Sequence, residues 1–143
     1  MAASITGTAV GRVKPCRLID IEQHADDRGK LSVVEEGAAL GFPIRRVYYL
    51  HGMRGGTDRG GHAHRALEQL MIAAHGSFTV RVDDGFQQTE YHLDDPGVGL
   101  YVGPLVWRDL VDFSPQGVCL VLASEQYDES DYYRDYDEFL RDL

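Results

Sequence analysis

The chain has 143 residues, of which 43% are hydrophobic, so it is long enough for one globular domain with a substantial core. Its formal net charge of −9 argues against nucleic acid or an anionic membrane as a partner, although most of the excess lies in residues 125–143, with eight acidic residues and two arginines. Because no apolar leader and no membrane-spanning stretch are visible, we expect a single cytoplasmic domain over residues 1–143.

The order of predicted elements indicates an all-β protein. Residues 1–14 are small and polar and predict a loose arm or an edge strand. Short alternating or apolar segments then predict strands at 18–21, 30–34, 44–50, 69–72, 77–82, 89–93, 99–102, 106–111 and 118–123. The turn Asp83-Asp84-Gly85 predicts a hairpin between two of them. This succession is typical of an antiparallel sandwich or barrel.

Only the C-terminal region has helical spacing. Residues 131–140 place apolar and aromatic residues on one stripe of a short helix: Tyr132, Tyr136, Phe139 and Leu140. Tyrosines in this region, which also include Tyr127 and Tyr133, could stack on a base or a sugar. Helical spacing favours a packing face instead, docked on the sheets or on a partner subunit.

The pair His62 and His64 is the most informative feature of the sequence. Side chains alternate along a strand, so both histidines, and Glu68 if the strand continues, project from one face. Arg59 and Gly60-Gly61 precede the pair, and glycine lets the backbone approach a ligand closely. Because imidazole is both a common proton carrier and a common metal ligand, the pattern predicts an acid–base or metal site.

The spacing around the pair resembles the first conserved motif of the cupins, with one extra residue before the last glycine: Gly56, His62, His64, Glu68 and Gly76. In metal-binding cupins, a second motif near a Gly-x-Pro turn supplies another histidine. The matching stretch from Gly103 to Asp109 has no histidine and contains Arg108. Because a cation beside Arg108 would be repelled, we expect neither a metal nor another cofactor.

Eight segments carry a more specific resemblance: Asp27-Arg28-Gly29-x-Leu31, Arg46-Val47-Tyr48-Tyr49, Arg59-Gly60-x-His62-Ala63-His64, Leu67-Glu68-Gln69, Asp83-Asp84-Gly85, Gly99-Leu100-Tyr101-Val102-x-Pro104-x-Val106-Trp107, Asp112-Phe113-Ser114 and Val121-Leu122-Ala123-Ser124-Glu125-x-Tyr127-Asp128-Glu129-Ser130-Asp131-Tyr132. Together they resemble the sugar 3,4-ketoisomerases, which are dTDP-4-oxo-6-deoxyglucose isomerases of the WxcM-like cupin group. The resemblance covers roughly Asp27 to Leu140.

The resemblance implies a cupin (RmlC-like jelly-roll) β-barrel that forms a homodimer and binds a dTDP-sugar without metal. It implies isomerisation of dTDP-4-oxo-6-deoxy-D-glucose to a dTDP-3-oxo-6-deoxyhexose through an enediol, in deoxyamino-sugar biosynthesis. His62 would be the principal base, and His64 would assist it. The candidate substrate-binding residues are Arg28, Arg46, Tyr49, Arg59 and Arg108.

Two questions stay open at this point. In the family, the residues at the positions of Arg28 and Arg108 go with the C4 configuration of the product, and arginine at both leaves galacto and gluco products open. A nucleotide-sugar epimerase of the same barrel class, with Tyr101 or Tyr49 as the partner of the histidine, is an alternative function. Non-catalytic sugar-nucleotide binding and a metal-dependent dioxygenase are two others.

Overall fold

The computed structural model describes residues 4–6, 13, 15–54 and 58–143, and within these ranges the chain is almost entirely β-structure. The strands are β1 Ser4–Thr6, β2 Cys16–Asp20, β3 Glu22–Asp26, β4 Gly29–Val33, β5 Arg46–Leu50, β6 Arg59–His64, β7 Gln69–His75, β8 Phe78–Asp83, β9 Gln88–Leu93, β10 Val98–Val102, β11 Trp107–Val111, β12 Val118–Ala123 and β13 Tyr132–Tyr133. A 3-10 turn covers Glu129–Asp131, and a helix, α1, covers Tyr136–Arg141.

Two antiparallel sheets and a separate hairpin contain these strands. One sheet has the strand order β1-β9-β8-β11-β6-β13, and the other has the order β2-β10-β7-β12-β5. The hairpin β3-β4 pairs only with itself among the described strands. No described ladder joins the two sheets, so their pairing does not close a barrel.

The main core lies between the two sheets because alternate residues of each strand point inward. One sheet contributes Met71, Ala73, Leu100, Val102, Cys119 and Val121, and the other contributes Phe78, Val80, Val82, Tyr91, Leu93 and Leu110. Full burial of such a side chain stabilises the fold by about 1.5–3 kcal/mol. The intervening residues of the five-stranded sheet face outward, where Leu40 and Phe42 cover part of a second apolar cluster.

Most strand predictions are confirmed, because the alternation of apolar and polar residues follows the alternation of buried and exposed side chains along a strand. Of the predicted arm or edge strand over residues 1–14, Ser4–Thr6 form an edge strand on β9, and residues 1–3, 7–12 and 14 lie outside the described ranges. Gly56 also lies outside them. Sequence analysis missed β3, whose side chains are all exposed and therefore give no burial signal.

The predicted helical start at Asp131 is wrong. Tyr132 and Tyr133 pair with β6 instead, and Asp135 caps the helix by accepting hydrogen bonds from the backbone N–H groups of Asp137 and Glu138. The strand pairing outweighs the helical periodicity of this segment. Phe139 keeps its predicted core role and is buried against Trp107 and Tyr133.

Among the described helices, none is long and apolar enough to span a bilayer.

Two glycines in the left-handed region test how tightly the loops pack. Gly76 has φ +67°, and a Cβ there would lie 2.4 Å from Ser114 Oγ and 3.0 Å from Gly117 Cα. Ser114 Oγ cannot move freely because it accepts a hydrogen bond from the backbone N–H of Ser77 at 2.9 Å. Gly52 has φ +66°, and a Cβ added there would have no described atom within 4 Å apart from its chain neighbours.

We expect Gly76→Ala to lower the free energy of unfolding by about 1–3 kcal/mol more than Gly52→Ala does, because only the first adds overpacking. Both variants carry the same cost, about 1 kcal/mol, of placing a side chain in the left-handed region. Urea denaturation followed by circular dichroism measures both. If the two variants lose the same free energy of unfolding, the loop around Ser114 can shift to make room for the added Cβ without an energetic cost.

Candidate active site

His62 and His64 lie together on β6, as strand alternation predicts. Their ring centroids are 5.0 Å apart, and the ring planes are nearly perpendicular. Strand β6 lies between β11 and β13, where Arg108 is opposite His62 and Tyr132 is opposite His64. The ring of Tyr132 is 4.3 Å from that of His64 and 5.3 Å from that of His62. The two imidazoles therefore sit in an aromatic and largely buried setting.

A buried guanidinium lies next to this pair. Arg108 is fully buried, and its Nε and Nη2 donate to the carbonyl oxygen of Val106 at 3.3 and 2.9 Å. Its Nη1 donates to Oε1 of Gln69, whose Nε2 donates to the hydroxyl of Tyr48 at 2.9 Å. No described carboxylate forms an ion pair or hydrogen bond with Arg108. The hydrogen-bond partners of Arg108 are therefore all neutral, and the carboxylate of Asp131 acts on its positive charge only without direct contact.

This environment keeps both histidines neutral at pH 7. Burial is the main cause that lowers the pKa of His62 to about 3, and the positive charges of Arg108 and Arg134 add to it. The pKa of His64 is also lowered, first by burial and then by Arg108 and His62. A neutral imidazole has a free nitrogen lone pair, so both rings can accept a proton.

The histidines open onto two adjoining cavities. His62 lines a cavity of about 410 Å³ between the sheets, and His64 lines one of about 720 Å³ beside it. Three residues line both cavities: Arg46, Tyr127 and Tyr132. Together these spaces are large enough for a small-molecule ligand with an extended shape.

The C-terminal segment forms one wall of both cavities. Arg134 donates to Glu129 at 2.7 and 2.9 Å, and its guanidinium lies 4.2 Å from the ring centroid of Tyr132. The guanidinium of Arg46 lies 5.7 Å from the ring centroid of Tyr127. Tyr127 and Tyr132 line both cavities, so the predicted packing role is wrong for these two. Tyr133 and Tyr136 pack against Phe139, as predicted.

Two of the predicted substrate-binding residues line the cavities. Arg46 lines both of them, and Arg59 lines the one that contains His62. Arg108 is buried opposite His62 on the neighbouring strand, where it donates to Gln69, and it is not among the lining residues of either cavity. Contacts of these three arginines with a ligand stay predictions.

Tyr49 and Arg28 lie elsewhere within a single chain. Tyr49 is 60% exposed on the outer face of β5, and its neighbour Tyr48 points inward to Gln69. The order Tyr48-Tyr49 did not reveal which one faces the core. Arg28 follows the end of β3 at the tip of the hairpin, with 87% of its side chain exposed and an ion pair to Asp26 at 2.6 Å.

Glu68 does not join the histidines, contrary to the sequence-based expectation. Strand β6 ends at His64, and the carboxylate of Glu68 instead accepts a hydrogen bond from Tyr101 at 2.6 Å. The described residues contain no group of three or more His, Cys, Asp or Glu side chains that could hold a metal ion. The expected independence from metal stays a prediction, and the donor set around His62 gives no support to a cation site beside Arg108.

Sequence reasoning also missed several residues of the site. Gln69, Asp131 and Arg134 contact Arg108, His64 and Tyr132, respectively. Asp131 is separated from His64 by 67 positions in the chain, and only the pairing of β13 with β6 joins them. The motif from Val121 to Tyr132 was the one signal that marked this segment.

Comparisons with known proteins agree with this geometry. The FdtA family model, described as WxcM-like, C-terminal, matches residues 14–143. A TDP-4-oxo-6-deoxy-alpha-D-glucose-3,4-oxoisomerase from Aneurinibacillus thermoaerophilus is 47% identical over 123 residues, which cover 86% of this chain and 88% of that protein.

Solved structures of 3,4-ketoisomerases are also similar. One is a histidine-to-asparagine mutant of QdtA from Thermoanaerobacterium thermosaccharolyticum in complex with TDP-4-keto-6-deoxyglucose, at 40% identity and a TM-score of 0.89 over 92% of this chain and 95% of that one. Another is the WlaRB TDP-quinovose 3,4-ketoisomerase from Campylobacter jejuni, at 40% identity and a TM-score of 0.87 over 90% and 99%.

A negative charge placed beside Arg108 tests whether the positive charge of Arg108 helps to lower the pKa of the histidines. Gln69→Glu is nearly isosteric and offsets the positive charge of Arg108, so we expect the pKa of His62 to rise by about one unit or more. NMR titration of the imidazole signals, assigned with His62→Asn, measures this pKa. Gln87→Glu adds the same charge at an exposed position and should leave the pKa unchanged. A wild-type pKa near 6.5, or equal values in both variants, would contradict the account.

Proposed function

Since this chain belongs to the FdtA, WxcM-like C-terminal family, we propose that it is a sugar-nucleotide 3,4-ketoisomerase. It converts dTDP-4-oxo-6-deoxy-D-glucose to a dTDP-3-oxo-6-deoxyhexose, a step of deoxyamino-sugar biosynthesis. The observation that carries this proposal is the pair of buried, neutral histidines beside a buried arginine whose hydrogen-bond partners are all neutral. That arrangement suits the removal of a proton next to a ketone and the stabilisation of the resulting oxyanion.

The reaction moves two protons and leaves the atom count of the sugar unchanged. A base removes the proton from C3, the electrons of that bond form the C3=C4 double bond, and the C4 carbonyl oxygen becomes an oxyanion. The hydroxyl on O3 then loses its proton as C3=O forms, while C4 accepts a proton and O4 becomes a hydroxyl. We assign the transfers at carbon to His62, which lines the cavity between the sheets, and the transfer from O3 to O4 to His64, which lines the adjoining cavity.

The positive charges near the cavities match an anionic nucleotide sugar. Arg46 and Arg59 line the cavity that contains His62, and arginine binds phosphate oxygens in a bidentate manner. Arg134 also lines this cavity, but its guanidinium is already paired with Glu129. Arg108 lies deeper and is the candidate partner for charge that develops on the sugar. We propose that the diphosphate lies towards Arg46 and Arg59 and the ketone lies towards Arg108.

We further propose that the two sheets form the jelly-roll barrel of a cupin domain spanning residues 1–143. The antiparallel ladders and the core between the sheets support this architecture. The proposed binding mode needs neither a metal nor another cofactor, since the histidines move the protons and the arginines balance the charge.

We also propose a homodimer, in which a second copy covers the outer face of β5. Val47 and Tyr49 are 55% and 60% exposed there, at the edge of the five-stranded sheet. The hairpin β3-β4 extends from the chain with Leu31 59% exposed. A partner copy that buries these surfaces would also give Arg28 a route to a neighbouring site.

NMR of the substrate in deuterated water tests the activity. With chelator-treated protein, we expect the carbonyl to move to C3 and deuterium to appear at C4. His62→Asn should retain nucleotide binding and lose at least about 100-fold in turnover, because the base is absent. His75→Asn, at an exposed position, is the matched control.

Full activity of His62→Asn would contradict the assignment of the base. Deuterium incorporation with the carbonyl still at C4 would indicate an epimerase. Binding without any exchange would indicate a non-catalytic protein.

Sedimentation analysis tests the dimer. The wild type should sediment with twice the mass of one chain, and Val47→Lys should shift it towards the monomer, because a buried lysine has no partner in the interface. Phe86→Lys changes another exposed apolar residue, 85% exposed on the turn between β8 and β9, and should have no effect. A wild type that is monomeric at every concentration would rule out the proposed assembly.

A further inference from the structure

The carboxylate of Asp131 connects the C-terminal segment to the histidine pair. His64 Nδ1 lies 3.1 Å from Asp131 Oδ2. The backbone N–H groups of Ala66 and Leu67 donate to the two carboxylate oxygens at 2.8 and 3.3 Å. The backbone N–H of Arg65 donates to the carbonyl of Asp131 at 2.9 Å. Because three consecutive residues bind Asp131, its carboxylate has a fixed position relative to His64.

This position determines which nitrogen of His64 carries hydrogen. A carboxylate is an acceptor, so the Nδ1 that faces it donates. In a neutral imidazole the other nitrogen, Nε2, then has a lone pair. Nε2 of His64 is buried and has no hydrogen-bond partner among the described residues. Because an unpartnered polar atom in such a place is costly, a role for it is expected.

We propose that Asp131 is a positioning residue that holds His64 as the Nδ1–H tautomer and so leaves Nε2 as the nitrogen that accepts a proton. This inference rests on the proposed ketoisomerase function, in which His62 transfers the proton at carbon and His64 transfers the proton between O3 and O4.

With these two tasks, the two histidines account for every proton that moves, and no further reactant is needed. Nε2 of His64 takes the proton from O3 as the O–H electron pair forms C3=O. The imidazolium is then paired with the carboxylate of Asp131, which favours the charged ring. His64 returns the same proton to O4 once C4 has accepted its proton from His62. Both rings end the cycle neutral.

The location of His64 suits the task. It is only 1% exposed, so bulk water does not compete for Nε2. The ring lies against Tyr132 at 4.3 Å, and its carbonyl oxygen accepts a hydrogen bond from the backbone N–H of Leu105 at 2.8 Å. These contacts fix the ring and its backbone, while Asp131 fixes the hydrogen on the ring.

Asp131→Asn separates this role from a purely structural one. The amide oxygen keeps the shorter hydrogen bond, from Ala66 at 2.8 Å, so the amide NH2 takes the place of Oδ2. It gives up the hydrogen bond from Leu67 at 3.3 Å and faces His64, so Nδ1 becomes an acceptor and the hydrogen moves to Nε2. We expect kcat to fall by about 10- to 100-fold with KM changed by less than about threefold. Nitrogen-15 NMR should place the hydrogen on Nδ1 in the wild type and on Nε2 in the variant.

Asp137→Asn removes the same charge at an exposed position in the first turn of α1 and should keep the wild-type kcat and tautomer. A wild type with hydrogen on Nε2 would overturn the inference even if Asp131→Asn failed to fold. A switched tautomer with unchanged kcat, or a loss of kcat with the wild-type tautomer, would also overturn it. Failure of the proposed function is a different result: the wild type would not move the carbonyl, whatever its tautomer.

Discussion

The buried charge of Arg108 is the constraint on which the rest of the site depends. A guanidinium without a carboxylate partner is costly inside a protein, and the fold offsets part of this cost with the carbonyl of Val106 and the amide of Gln69. The same charge adds to burial in holding His62 and His64 neutral. This arrangement also costs stability in acid: the unfolded chain takes up protons below the ordinary histidine pKa of 6.5, whereas the folded chain does not.

The two sheets hold these groups in register. Strand β6 carries the histidines, and its neighbours β11 and β13 place Arg108 and Tyr132 directly opposite them. Strand β7 supplies Gln69 from the other sheet, so the hydrogen bond to Arg108 crosses the core. Because His62, His64, Arg108 and Gln69 lie on strands rather than on loops, their geometry is set by the same packing that stabilises the fold.

The sequence was sufficient for most of the strands, though not for β3 and β13, and for the histidine pair, because alternation and spacing are local properties. It could not place Glu68, since the parity argument requires a continuous strand and β6 ends at His64. It named Tyr49 rather than Tyr48 as a substrate-binding residue, because an aromatic residue fits either face of a strand and the pattern does not show that Tyr48 is the one that points to Gln69. It missed the role of Asp131 for a different reason: that contact depends on a long-range pairing, which periodicity does not encode.

The positive charges of the site act at different stages of the proposed reaction. The diphosphate of a nucleotide sugar is anionic throughout the reaction, so arginines that bind it strengthen substrate and transition state alike. The oxyanion on the sugar exists only after a proton has left C3, so a charge aimed at it acts mainly on the transition state. The hydrogen bonds to Val106 hold Arg108 in place before a substrate arrives, so in the proposed mechanism no reorganisation is needed when the charge appears. In that mechanism, the cost of burying Arg108 in the free protein is the source of its catalytic value.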